Sequence, residues 1–290
     1  MNGKIKPPAT LRALLQRGGA RLLRHLLPGA CALCGGDSDE ALCPGCAAQF
    51  FGAAALRPRC PRCANPTSGS EPTFGHEPGA TPGSGLSLRH ELDAGSGSGP
   101  AFGHGSGSSG PLCGVCLADP PAYDRTLVAT DYAMPVDQLV LQLKFAHRLA
   151  LAPLMARLLR DAVLLQPDFT LPAVLCPVPL GPQRLAERGY NQALEIARPL
   201  ARSMGVRLEA RLISRVHDTA AQSSVAPEQR RHNIAGAFAI RDAALVAGRH
   251  IGIVDDVMTS GGTLNELASV LKRHGAARVS NLVFARTPPH

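Results

Sequence analysis

The sequence has few aromatic residues: its 290 residues include no tryptophan, three tyrosines and eight phenylalanines. It also lacks a long apolar run, because arginines separate the leucines of the N-terminal segment, residues 1–28. We therefore expect neither a secretory signal peptide nor a membrane-spanning segment. Few aromatic side chains also leave few surfaces on which nucleic-acid bases could stack, and Phe50 and Phe51 are the candidates near the cysteine-rich part.

Two common phosphate-binding motifs are missing as well. No glycine-rich loop is followed by Gly-Lys-Ser/Thr, which excludes the P-loop of nucleoside triphosphatases. The glycine fingerprint of dinucleotide-binding proteins is also absent. A net charge of +8 nevertheless favours anionic partners, whether nucleic acid, phosphorylated metabolites or acidic membrane surfaces, and the charge alone does not choose among them.

The composition divides the chain into three parts. Residues 1–28 have leucines at helical spacing between arginines, which predicts a basic amphipathic helix. Packing on its own protein is favoured over docking to a membrane or a partner. Residues 29–120 contain the cysteine pairs, interrupted by a Gly/Ser-rich segment at 64–112 that we expect to be a flexible insertion. In residues 121–290, apolar runs typical of buried strands alternate with helical patterns, which predicts an α/β domain with a parallel sheet.

The helical patterns of this domain lie at about 135–161, 191–204 and 263–274. The strand-like runs between them are TLVATDYA, AVLCPVPL, RHIGIVDDV and RVSNLVFAR. Cys176, inside the second run, is expected to be a buried strand residue.

The other eight of the nine cysteines form four Cys-x-x-Cys pairs. This spacing suits tetrahedral metal coordination better than disulfide pairing, so we expect a reducing, cytoplasmic setting. Two Cys₄ sites holding structural Zn²⁺ are favoured over iron–sulfur clusters, with sequential use of the pairs the simplest arrangement and a crossed arrangement still open. The predicted metal ligands are Cys31, Cys34, Cys43, Cys46, Cys60, Cys63, Cys113 and Cys116.

The metal sites have a structural interpretation and a functional one. A small segment with little apolar core needs a metal in order to fold, which is sufficient reason for the cysteines. Arginines at positions 57, 59 and 62, around the third pair, would also offer contacts to phosphate groups of nucleic acid.

The segment from Arg249 to Gly275 has the pattern of a strand that ends near Asp256, a loop, and a helix that begins at about Thr263. A loop at a helix N-terminus offers free backbone N–H groups to an anion, and Gly261 and Gly262 let the backbone approach it closely. Carboxylates just before such a loop can accept hydrogen bonds from ribose hydroxyls or hold hydrated Mg²⁺. Phosphate, ribose and metal together point to phosphoribosyl pyrophosphate.

This stretch, VDDVMTSGGT at residues 254–263, resembles the phosphoribosyl-pyrophosphate loop of type I phosphoribosyltransferases. Together with CPVPLGPQRLAERGYNQALEIA, RVHDTAAQSSVAPEQRRHNIAGAF and the cysteine-rich part, it is similar to the ComF family of competence-associated, phosphoribosyltransferase-like proteins. The resemblance covers nearly all of the chain from about Leu26, with the Gly/Ser insertion as the main departure.

The resemblance implies a role for each part of the site. Asp255 and Asp256 would contact the ribose, with Mg²⁺ on the bound ligand, and Arg184 and Arg188 would be the catalytic cations on the pyrophosphate. The 5-phosphate would lie on Thr259, Ser260, Gly261, Gly262 and Thr263. A mobile loop over the site would contribute Arg215, Thr219, Gln222, Arg231 and Asn233.

Simpler interpretations remain for some of these residues. Arg184 and Arg188 could flank Glu187 on an exposed helix. Lys144 could face phosphate or nucleic acid, but it is most simply a surface lysine beside core leucines. Two functions stay open: an enzyme that transfers phosphoribose to an unidentified acceptor, or an accessory protein that binds single-stranded DNA and keeps the phosphoribosyl site for another purpose. The resemblance implies single-stranded DNA and DNA-uptake proteins as partners.

Overall fold

The computed structural model describes residues 29–52, 57–67, 110–216 and 236–288. The predicted N-terminal helix at 1–28 lies outside the described residues, as does most of the predicted insertion at 64–112. None of the helices in the described ranges has both the length and the apolar character needed to cross a membrane.

The main body is a five-stranded sheet in which all neighbouring strands are parallel, in the order β1-β7-β6-β2-β3. The strands β2, β6 and β7 are largely buried on both faces, as expected of a parallel sheet covered by helices on both sides, whereas the edge strand β3 is partly exposed. A separate antiparallel pair is formed by β4 and β5. In chain order the strands are β1 Arg125–Asp131, β2 Val174–Pro177, β3 Arg207–Leu208, β4 Ile213–Arg215, β5 Phe238–Ile240, β6 His250–Met258 and β7 Arg278–Arg286.

The described helices flank this sheet and the cysteine pairs. A short 3₁₀ turn at Ala243–Leu245 precedes β6. In chain order the α-helices are α1 Pro44–Phe51, α2 Gly114–Ala118, α3 Asp137–Phe145, α4 Leu151–Leu164, α5 Pro182–Arg188, α6 Gln192–Met204 and α7 Gly262–Arg273.

Two apolar cores lie on opposite faces of the sheet, and each includes one group of cysteines. Successive residues of β7 alternate between them, with Leu282 in the first core and Val283 in the second. Helices α3, α4 and α6 fill the first core together with Cys31 and Cys46. Helix α7 fills the second with Cys60, Cys63 and Cys116. The cysteine-rich part is thus packed onto both faces of the sheet.

The secondary structure differs from the sequence-based prediction in a few places. The helical pattern at 135–161 is two helices, α3 and α4, separated by a turn in which His147 has a φ of +52°. Apolar periodicity continues across this turn, so the pattern gave no sign of the break. Strand β6 extends beyond Asp256 to Met258, and α7 begins at Gly262. The short strands β3, β4 and β5 were not predicted.

Candidate functional site

A cleft of about 620 Å³ opens at the carboxyl ends of β2 and β6, which are neighbours in the sheet. Because the carboxyl ends of parallel strands meet at one edge, loops from distant parts of the chain converge there. The cleft brings together six of the residues predicted from the sequence: Arg184, Arg188, Arg215, Asp255, Asp256 and Thr263.

The two aspartates lie near the end of β6. Backbone N–H groups fix both carboxylates: Asp256 N–H donates to Asp255 Oδ1, and Val257 N–H donates to Asp256 Oδ1, each at 2.9 Å. Asp256 is buried, and its Oδ2 lies 2.7 Å from Nζ of Lys144. Burial and the adjacent Asp256 charge raise the pKa of Asp255 well above its usual range. A bound cation or additional hydrogen-bond donors would therefore stabilise the two adjacent carboxylates.

Arginines face the aspartates from α5. Pro182 lies at the start of this helix and Gly189 ends it in the left-handed conformation, with a φ of +78°. Both Arg184 and Arg188 line the cleft, and the Arg188 guanidinium lies 5.4 Å from the centroid of the Phe145 ring. Helix α5 has no buried residue, as the alternative interpretation of an exposed helix expects, and Glu187 also lines the cleft, where it accepts a hydrogen bond from Gln183.

The loop after β2 is held by the residues that follow α5. Asn191 caps α6 by accepting a hydrogen bond from Leu194 N–H at 3.3 Å, and its side-chain amide donates to the Val178 carbonyl at 2.9 Å. The Tyr190 hydroxyl donates to the Leu143 carbonyl at the end of α3. Asn191 therefore holds the backbone of Val178, which lines the cleft, and Tyr190 holds the end of α3.

The loop between β6 and α7 has the conformation expected of an anion-binding turn. Gly261 has a φ of +80°, a left-handed conformation in which any other residue would be strained, and a Cβ atom at this position would also displace Met258 Cε, 2.5 Å away. Thr259 and Ser260 are exposed at the edge of the cleft. Of the five predicted phosphate contacts, Thr263 lines the cleft itself, while the turn formed by the other four adjoins it.

The predicted mobile loop is described only at its first residue. Arg215, at the end of β4, lines the cleft, and its guanidinium lies 5.7 Å from the centroid of the Phe238 ring. The other predicted residues of this loop, Thr219, Gln222, Arg231 and Asn233, lie outside the described residues.

Sequence reasoning missed one basic residue of the cleft, His147, and favoured a surface position for another, Lys144, over contact with phosphate. Lys144 at the end of α3 pairs with Asp256, and His147 follows it in the turn before α4. The interpretation of Lys144 as a surface lysine was wrong, because its side chain is about three-quarters buried, 23% exposed. The pattern around Lys144 could not show this, since the contact depends on where α3 lies against the sheet.

The eight paired cysteines form two groups of four, in the sequential arrangement. Within each group the sulfur atoms all lie within 4.8 Å of one another. Burial opposes ionisation of Cys31, but backbone N–H groups, with Cys34 first, together lower the pKa of its thiol to about 6. In the second group, burial and a neighbouring thiol raise the pKa of Cys63 to about 11 despite a backbone hydrogen bond, so full ionisation requires a cation.

These features fit structural zinc. Four convergent sulfur donors match the ligand set of a closed, tetrahedral Zn²⁺ site, and Zn²⁺ would supply the positive charge that crowded thiolates require. The first group comprises Cys31, Cys34, Cys43 and Cys46, and the second comprises Cys60, Cys63, Cys113 and Cys116.

The arginines near the third cysteine pair differ in their surroundings. Arg57 and Arg59 line a second cleft, of about 420 Å³, between this part and the edge strand β1. Arg59 forms an ion pair with Asp131 at 2.8 Å and donates to the Ala64 carbonyl at 3.1 Å. The described contacts of Arg59 therefore stabilise the fold. Arg57 is exposed and Arg62 is half-buried.

Comparisons with known proteins match two separate parts of the chain. Residues 191–289 match the family described as "Phosphoribosyl transferase domain", and residues 22–77 match "Double zinc ribbon domain". DNA utilization protein YhgH of Salmonella typhi is 39% identical over 178 residues, which is 60% of this chain and 78% of that protein. Competence protein F of Haemophilus influenzae is 32% identical over 179 residues, again 60% of this chain and 78% of that protein.

Among solved structures, the glutamine phosphoribosylpyrophosphate amidotransferase of B. subtilis aligns with 45% of this chain and 25% of its own. Its sequence identity is 13% and its TM-score is 0.30, a likeness too low to bear on function.

Proposed function

This chain belongs to the ComF family of competence-associated, phosphoribosyltransferase-like proteins, and we propose that its cleft binds phosphoribosyl pyrophosphate together with Mg²⁺. One observation carries the proposal: Asp255, Asp256, Arg184, Arg188 and the start of α7 converge on a single cleft. Acceptors for ribose hydroxyls would therefore share one cleft with two sets of donors for phosphate groups.

Each part of the cleft suits one part of this ligand. The aspartates would accept hydrogen bonds from the ribose hydroxyls, and the turn before α7 would bind the 5-phosphate through backbone N–H groups and the Thr263 hydroxyl. The planar guanidinium groups of Arg184 and Arg188 suit bidentate contacts to the pyrophosphate. Mg²⁺ would supply further positive charge for the pyrophosphate oxygens when bound.

Transfer of phosphoribose is the reaction that this arrangement would support. The bond from C1 of the ribose to the pyrophosphate oxygen would break as a nucleophile bonds to C1, and the nucleophile would lose a proton. Arg184 and Arg188 would stabilise negative charge on the departing pyrophosphate, while the aspartates hold the ribose through an oxocarbenium-like transition state.

The names of the relatives refer to DNA utilization and competence, and we propose a role associated with DNA uptake for this chain as well. A second candidate function is that of a non-catalytic accessory protein that binds single-stranded DNA. Exposed Arg57 beside the second cleft and the net charge of +8 favour it.

Ligand titration tests the binding proposal. We expect wild-type protein to bind phosphoribosyl pyrophosphate in a Mg²⁺-dependent way, and Asp255→Asn with Asp256→Asn to lower the affinity at least about 30-fold, roughly 2 kcal/mol. Asp161→Asn, which changes an exposed carboxylate on α4 paired with Arg160, is the matched control. Unchanged affinity in the double variant would show that the ligand site has been misassigned.

A pyrophosphate-release assay then separates the two functions. Wild-type protein is incubated with phosphoribosyl pyrophosphate, Mg²⁺ and either candidate bases or single-stranded DNA. Release that depends on an acceptor and is lost in Asp255→Asn/Asp256→Asn supports transfer. Binding without release under any acceptor supports the accessory role.

A further inference from the structure

A buried arginine at the end of β7 joins the second cysteine group to the turn before α7. Arg286 is 6% exposed, and all of its described hydrogen bonds go to backbone carbonyls. Its Nε donates to the Cys63 carbonyl at 3.1 Å. Its Nη1 donates to the carbonyls of Met258 at 3.1 Å, Thr287 at 2.8 Å and Thr259. One side chain therefore contacts the backbone of a metal-site cysteine, of the last residue of β6 and of the first residue of the turn.

These contacts determine which way the turn presents its backbone. In a planar trans peptide the C=O and the following N–H point in opposite directions. Because the Thr259 carbonyl points inward to Arg286, the N–H of Ser260 must point away from Arg286. A turn that binds an anion needs its N–H groups outward and its carbonyls satisfied elsewhere. Arg286 provides that second requirement.

Tyr123 forms a second contact between the same two regions. It is 3% exposed and belongs to the apolar core that contains Cys60, Cys63 and Cys116. Its hydroxyl oxygen lies 3.1 Å from the position of a Cβ atom on Gly261. The turn therefore rests on a side chain that packs within the core of the second cysteine group.

Charge also links Arg286 to this group. In the part of the chain that the structure describes, the partners of the Arg286 guanidinium are backbone carbonyls rather than carboxylates, and burying an ion without an opposite charge is costly. Four thiolates and one Zn²⁺ would carry a formal charge of about −2, close to the guanidinium because Arg286 contacts the Cys63 backbone. Loading the second site with metal would thus stabilise Arg286 in its present position.

We propose that Arg286 is a positioning residue for the anion-binding turn, and that it couples the order of this turn to the second cysteine group rather than the first. This inference rests on the proposed function only in treating the turn as the phosphate site. The first group, around Cys31 and Cys46, packs in the core on the opposite face of the sheet, so it serves as an internal comparison.

The first experiment measures amide hydrogen exchange of the turn, residues 259–263, without ligand. Arg286→Lys keeps a positive charge but cannot reach all four carbonyls, and we expect exchange in the turn to rise about tenfold or more. The control is Arg125→Lys, which changes another buried arginine, one that pairs with Asp168 near the opposite end of the sheet. Turn exchange in the control should match wild type, and equal exchange in all three proteins would overturn the proposal.

The second experiment tests the coupling. Cys116→Ser and Cys46→Ser each remove one buried ligand, from the second and first group respectively. We expect only Cys116→Ser to increase exchange in the turn and to lower the affinity for phosphoribosyl pyrophosphate, by about tenfold. Equal effects of the two substitutions would overturn the coupling.

Further measurements keep the outcomes separate. Zinc content and circular dichroism establish that Arg286→Lys is folded and loaded, and Arg286→Met, which removes the charge, should increase exchange further. If Arg286→Met does not fold, the exchange measured for Arg286→Lys decides whether Arg286 positions the turn. If the wild-type protein does not bind phosphoribosyl pyrophosphate, the proposed function fails, while the exchange comparison still decides the role of Arg286.

Discussion

Lys144 and Asp256 form an ion pair within the cleft, with Nζ and Oδ2 separated by 2.7 Å. The side chains are 23% and 9% exposed, so solvent screens this pair less than an ion pair on the surface. Asp255, beside them, has a raised pKa. The lysine therefore neutralises one carboxylate of the pair before any ligand is bound, and its ammonium group lies where a phosphorylated ligand would enter.

Lys144→Met should weaken binding of phosphoribosyl pyrophosphate by about tenfold, about 1.4 kcal/mol, because a polyanion would then meet two aspartates with one cation fewer. Titration of the ligand at fixed Mg²⁺ measures this change. Lys144→Arg, which keeps the charge, should lose less.

Lys272→Met is the matched control for this prediction. Lys272 also lies 2.7 Å from an aspartate oxygen, that of Asp124, but outside the cleft. An equal loss of affinity in both methionine variants would show that general charge, rather than the position of Lys144, causes the effect.

Asp255→Asn should stabilise the folded protein without ligand. Because burial and the Asp256 charge raise the folded-state pKa of Asp255, its contribution to stability is fully present below the unfolded pKa, near 3.8, and is lost as pH rises through the folded pKa. An asparagine has no such loss, so the melting temperatures of the two proteins should separate progressively as pH rises above about 4.

Thermal unfolding of both proteins between pH 4 and pH 8 measures the difference. A variant that is less stable than wild type across the whole range would contradict the raised pKa. Stabilisation combined with loss of ligand affinity is the pattern expected where function maintains an unfavourable charge.

The features that the sequence predicted correctly are local ones. The cysteine pairs and the β6–α7 segment each carry their pattern within a few tens of residues, so spacing and periodicity were enough to identify them. Burial of Cys176 on β2 followed from the apolar run around it. Parallel β-α units followed from the alternation of apolar runs and helical patterns.

Features that depend on distant contacts could not be predicted. Lys144 reaches Asp256 only because α3 lies against the carboxyl edge of the sheet, and Arg286 reaches Cys63 only because β7 ends beside the second cysteine group. Arg59 looked like a phosphate contact, yet its partner is Asp131 on β1. Residue types and their spacing along the chain do not indicate which distant residues come into contact in the folded protein.

The two metal sites should lose zinc at different rates. We expect about two zinc ions per chain by elemental analysis, and a faster release to a chelator from the first group, because Cys34 is exposed and Cys43 is half-buried. In the second group only Cys113 is not buried. Release measured with a colorimetric indicator should show two phases.

Single-site variants assign the two phases. Cys46→Ser should keep about one zinc ion and the slow phase, whereas Cys116→Ser should keep the fast phase. The reverse assignment would contradict the burial argument. Iron in place of zinc would contradict the identity of the metal.

Binding of single-stranded DNA should be electrostatic and should involve Arg57 and Arg62. With a net charge of +8 and few aromatic residues, affinity must come mainly from phosphate contacts, so it should fall steeply with salt. Arg57→Ala/Arg62→Ala should weaken binding and reduce the slope of log affinity against log salt by about 1 to 2. Fluorescence anisotropy with a labelled oligonucleotide measures both quantities.

Arg207→Ala/Arg273→Ala makes the same change in net charge at two exposed arginines that pair with Glu209 and Glu266. This control should leave the slope near that of wild type. Arg59→Ala should instead lower the melting temperature, because it breaks the ion pair with Asp131 and the hydrogen bond to the Ala64 carbonyl. If affinity is independent of salt, or falls equally in both double variants, the phosphate contacts do not lie at Arg57 and Arg62.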